Sequence, residues 1–145
     1  MYQKDLYWLA FRGGFVSMLR WPHFDELWQR LESMANEDWY IYAIGETPPE
    51  KPATEQEMLH FLSEMTILLR REHDEDYCGI VYVDDKQNPG FVKIFDPNNL
   101  GVSCGFSETP PLPGWTLSKL KPIDLPGSLA QTASRKRWWN KIFSR

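Results

Sequence analysis

Apolar residues along this chain change their spacing several times, and each change predicts an element. From Phe24 the spacing is three and four, so Phe24, Leu27, Trp28, Leu31 and Met34 share one face of a helix. Trp21-Pro22 marks its start, because proline suits a first helical turn and holds the preceding residue extended. Asp25 and Glu26 fall where the helix dipole favours negative charge, and Asn36 is a suitable stop. A second helix is predicted from Glu55 to Glu72. Thr54-Glu55-Gln56-Glu57 has the form of a capping box, and Met58, Phe61, Leu62, Met65, Leu68 and Leu69 make an apolar stripe behind it.

Elsewhere the pattern is that of strands. Tyr77–Val83 and Phe91–Phe95 are rich in β-branched and aromatic residues, and the Asp, Asn, Pro and Gly of Asp84–Gly90 suit the bend between them. Val102, Cys104 and Phe106 alternate with small residues, which extends the hairpin into a meander over Tyr77–Phe106. Trp39–Ile44 is apolar on both faces and predicts a central strand. Leu6–Phe11 and Phe15–Leu19 flank Gly13-Gly14 and predict two N-terminal strands, one interrupted helix being the alternative. Trp115–Leu120 predicts an edge strand.

The order implies an α+β fold, a mostly antiparallel sheet with two helices on one face. Residues 1–106 form the domain. Residues 107–133 are a proline-rich extended arm pinned by Trp115, Leu117, Leu120 and Ile123. Residues 134–145 are a basic aromatic tail, reached through a spacer of small and polar residues beginning at Ser128.

Composition narrows the functional classes. A chain of 145 residues buries enough surface to fold without metal or disulfide. No window approaches the ~18 consecutive apolar residues of a membrane span, and no apolar run of signal-peptide length follows Met1–Asp5, so a soluble cytoplasmic protein without integral membrane association is expected. Two cysteines, Cys78 and Cys104, are too few for a disulfide scaffold and read as buried thiols. Charge is divided unevenly. Residues 1–110 hold 9 Lys and Arg against 19 Asp and Glu, a net of −10, whereas residues 111–145 hold 7 against 1, a net of +6. This acidic, aromatic build resembles that of small bacterial accessory and immunity proteins.

The tail is the unusual feature. On a helix Trp138 lies one turn from Ile142 and Trp139 one turn from Phe143, leaving cations for the other face. Such a segment is too short to be helical alone, so it needs a surface, its own domain's or a partner's. One short segment attaches only weakly to a membrane, and a body of charge −10 repels nucleic-acid phosphates. Another protein is therefore the expected partner, contacted through Arg135, Arg137, Trp138, Trp139, Lys141 and Phe143. The expected function is a non-enzymatic, inhibitor- or immunity-like accessory protein, with no catalytic residue, metal or cofactor assigned. A small thiol- or metal-dependent enzyme using Cys104 or Cys78 with His73 is the alternative. The acidic run Glu72–Asp76 and the pair Asp84-Asp85 read as solvated junctions, and Pro110-Pro111-Leu112-Pro113 as a connector.

Overall fold

A computed structural model describes residues 3–98, 112–125 and 132–143. Within them lie helices α1 (Gln3–Phe11), α2 (Trp21–Ser33), α3 (Glu55–Glu72) and α4 (Ala133–Ile142) and strands β1 (Val16–Ser17), β2 (Tyr40–Ala43), β3 (Val81–Val83), β4 (Phe91–Ile94) and β5 (Trp115–Ser118). The strands form one antiparallel sheet in the order β1-β3-β4-β5-β2, and the fold is α+β.

The locally encoded elements form as their sequences dictate. Phe24, Leu27, Trp28 and Leu31 are the buried residues of α2, and the six-residue stripe of α3 is buried throughout. The capping box closes in both directions: the Glu57 amide donates to Thr54 Oγ1 at 3.1 Å, and the Thr54 amide to Glu57 Oε1 at 2.9 Å. The β3–β4 hairpin pairs Val81 with Ile94 and Val83 with Val92. Its loop is organised by Asp84, whose Oδ1 accepts from the amides of Asp85, Gly90 and Phe91 at 2.8, 3.0 and 3.1 Å.

Four expectations are corrected. Leu6–Phe11 is helical, because Tyr7 and Phe11, one turn apart, go down onto the sheet while Leu6 and Leu9 stay exposed. Only Val16–Ser17 of the following run is strand. The Trp115 run is an interior strand, hydrogen-bonded to β4 on one side and β2 on the other, and every residue of β5 is buried. Conversely β2 lies at the sheet's edge; its two-sided apolar pattern reflects cover on both faces, which a lateral position does not decide. The Val102–Phe106 strand and Cys104 lie outside the described residues.

Both faces of the sheet carry a core. On one, α2 and α3 pack over Ile41, Val81, Val92, Ile94, Trp115 and Leu117, and the Trp28 indole donates to the Leu62 carbonyl at 2.9 Å. On the other, Tyr7 and Phe11 of α1 meet Tyr42, Ile44, Phe91 and Leu125, flanked by Leu120 and Ile123. The Tyr7 hydroxyl lies 2.8 Å from Thr116 Oγ1 in the middle of that face. Burial, assisted by the nearby Asp124 charge, pushes the Tyr42 phenol up to about 12. Among the described residues no helix is long and apolar enough to cross a membrane.

Candidate docking surface around the C-terminal helix

The tail sequence forms α4, a ten-residue helix opened by Thr132, whose Oγ1 accepts from the Arg135 amide at 3.3 Å. It lies against α3 and the first core. Arg135, in its first turn, is 6% exposed. Its guanidinium is held by two carboxylates at once. Nε and Nη2 donate to the two oxygens of Asp96 at 2.8 and 2.9 Å, while Nη1 and Nη2 donate to those of Glu72 at 3.1 and 2.7 Å. Planar, forked geometry of this kind is what guanidinium offers and ammonium does not. Asp96, also 6% exposed, accepts in addition from the Asn98 amide at 2.9 Å. The Arg135 guanidinium lies 5.9 Å from the Trp115 ring.

Each partner tunes the other. The Arg135 hydrogen bond holds the Glu72 carboxyl below its ordinary range, and Arg71 adds to this with a 3.3 Å contact. Asp96 first, then Glu72, hold Arg135 more firmly protonated still. This clamp joins residues 39 and 63 positions apart in sequence. Arg135 is therefore used internally and anchors the helix.

The aromatic residues one to two turns on are divided between two surroundings. Trp138, Trp139 and Phe143 are half-buried, and their ring centroids lie 6.3–6.4 Å from that of Phe61, a fully buried residue of α3. Trp138 also meets Trp115 edge-on at 5.5 Å. Their other sides line two shallow grooves. The first, about 250 Å³, runs between α4 and the edge of β2 and is walled by Ile41, Thr47, Pro49, Lys51, Trp139 and Phe143. The second, about 280 Å³, lies between α3 and α4, with Ile67, Leu68, Trp138 and Ile142 within it and His60, Glu64, Arg71 and Lys141 around it. Arg137 and Lys141 are exposed, as is Lys136. Of the six tail residues expected to meet a partner, Trp138, Trp139, Lys141 and Phe143 line the grooves, Arg137 is exposed but lines neither, and Arg135 is buried in the clamp. The grooves themselves are invisible in sequence, because their second walls come from β2, the 47–53 segment and α3.

The residues of the thiol alternative are arranged differently. Cys78 is buried, and burial raises its thiol above the ordinary value, the reverse of what an activated nucleophile needs. The His73 ring lies 2.8 Å from the Cys78 carbonyl oxygen, which occupies Nε2 with backbone, and it packs beside Trp21 and Tyr77. Among the described residues no group of three or more His, Cys, Asp and Glu side chains could hold a metal ion. In comparison with known proteins, no family model, no curated protein and no solved structure matches this chain.

Proposed function

We propose that this chain is a non-enzymatic, protein-binding accessory protein of inhibitor- or immunity-like type, and that its partner docks on α4 and the grooves beside it. One observation carries the reading: three aromatic side chains, Trp138 and Trp139 of α4 and Phe143 at its C-cap, rest on Phe61 with one side and line open grooves with the other. Rings fixed from behind lose little entropy when a partner covers them, which is why Trp with neighbouring cations so often anchors interfaces.

Lys51, Arg71 and Lys141 line the grooves together with Glu64, and Lys136 and Arg137 of α4 are exposed. At physiological salt, charges beyond about 8 Å are largely screened, so the charges that line the grooves govern contact here more than the net charge of the body. The complementary partner segment carries an apolar or aromatic anchor flanked by carboxylates. The acidic body offers a separate surface on which a basic partner would be steered electrostatically. Cys78 as a free, buried thiol is compatible with work in the cytoplasm.

The test uses a displayed random-peptide library panned against the full chain at neutral pH. Enriched peptides should carry an aromatic or aliphatic residue beside Asp or Glu. Trp139→Ala should weaken their binding at least about thirtyfold, the scale of a 2 kcal/mol anchor. Peptides that bind the variant unchanged, or no enrichment at all, would overturn the proposal.

A further inference from the structure

Only one described side chain of α4 is buried, and it is the charged one, Arg135. The rings that follow are half-covered, while the surface beneath them, Phe61 and Trp115, has no exposure at all. A ten-residue helix has little stability of its own in water, so α4 stays helical only while it is docked. Its docking thus combines half-covered rings with a buried ionic set, and such a set is stable only when complete. Removing the cation leaves Asp96 buried and uncompensated, while neutralising the acids leaves a buried guanidinium without charged partners.

We infer that α4 is a releasable strap: the Arg135–Asp96–Glu72 clamp governs its docking, and weakening the clamp frees the helix while the rest of the domain stays folded. The inference builds on the docking reading above, since α4 forms a wall of both grooves and its release dismantles them. Release also uncovers Phe61 and Trp115. Stability is divided unevenly in this way wherever a segment has few buried apolar contacts.

Acid acts on this clamp through Glu72. Among the described residues the charged groups facing it are Glu72 and Arg71 from α3, Asp96 from beyond β4, and Arg135 itself from α4; β5 contributes the uncharged Trp115 ring. His73, next to Glu72, turns its ring to the Cys78 carbonyl. Glu72 titrates lower in the folded chain than in the unfolded one. The stability it confers is therefore complete at neutral pH, begins to fall below about 4.3, and is lost as pH drops through the folded value.

The test is hydrogen exchange on the full chain, with protection of residues 137–143 compared to that of α3. In the unsubstituted protein α4 should exchange through an opening that leaves α3 protected, and the opening should grow as pH falls below about 4.3. Arg135→Met should lower α4 protection at least about tenfold at neutral pH while α3 changes less than about twofold. If α4 and α3 lose protection together in the unsubstituted chain, or if Arg135→Met leaves α4 unchanged, the strap is refuted. Independent opening of α4 without any captured peptide would instead overturn the docking reading alone.

Discussion

Two helices share Phe61, and they are held to the domain in opposite ways. Helix α3 begins in a two-way capping box and buries six apolar side chains; α4 begins in a single Thr cap and buries one side chain, an arginine. Both sequences are amphipathic, so pattern alone ranks them as alike. Apolar burial is non-directional and indifferent to pH, and α3 is inseparable from the core for that reason. A guanidinium between two carboxylates is directional and conditional. The difference teaches that a helix at a surface is classed by what it buries more than by how its stripe looks.

The strongest way to break this comparison is to remove the residue both helices use. Phe61→Ala should cost about 3–5 kcal/mol in denaturant unfolding, through the lost ring and the cavity left between α3 and α4. A loss below about 1 kcal/mol would mean that the aromatic rings of α4 do not bear on it. Next comes Arg135→Met. The stranded Asp96 charge has a penalty of about 3–5 kcal/mol, but only up to the free energy with which α4 docks. Its unfolding midpoint should therefore move less than that of Phe61→Ala, while the tryptophan emission of the Trp115–Trp138 contact changes fully. Equal midpoint shifts would put α4 in the same cooperative unit as α3.

Smaller effects sharpen the contrast. Thr54→Ala, at the head of α3, should lower global stability by about 1 kcal/mol, whereas Thr132→Ala, at the head of α4, should leave the global midpoint within about 0.5 kcal/mol. For pH, Glu72 contributes stability that is present above its unfolded value and disappears on acidification. Replacing it by Gln should flatten the acid limb of the tryptophan-emission titration below about pH 4.3, and an unaltered limb would assign that titration to other groups. Smallest is Asp25→Asn. It breaks the exposed 2.6 Å Arg70–Asp25 pair on the α2–α3 side and should shift stability by no more than about 0.5 kcal/mol.

Legibility followed distance along the chain. Helices α2 and α3, the β3–β4 hairpin and the Asp84-ordered loop are all decided by residues within a few positions of one another, and their sequences predict them. The run Leu6–Phe11 does not, because six consecutive apolar or aromatic residues satisfy both a strand and a helix; the sheet face that receives Tyr7 and Phe11 settles it. Of the candidate site, the aromatic spacing of α4 was readable and its orientation was not. Arg135 reads as a free cation like Arg137, and what separates them is the presence of Glu72 and Asp96 beside only one.

By itself the sequence determined where α2 and α3 start, which faces they bury, that an antiparallel hairpin forms, and that charge is split between body and tail. Tertiary structure decided the lateral order of strands, with β5 inside and β2 at the edge, because backbone pairing across a sheet leaves no periodic trace in either strand. It also decided that a cation of the tail would be the buried anchor of α4. That outcome depends on two carboxylates brought from 39 and 63 residues away. The low local dielectric that makes their attraction strong exists only once the chain has closed around them.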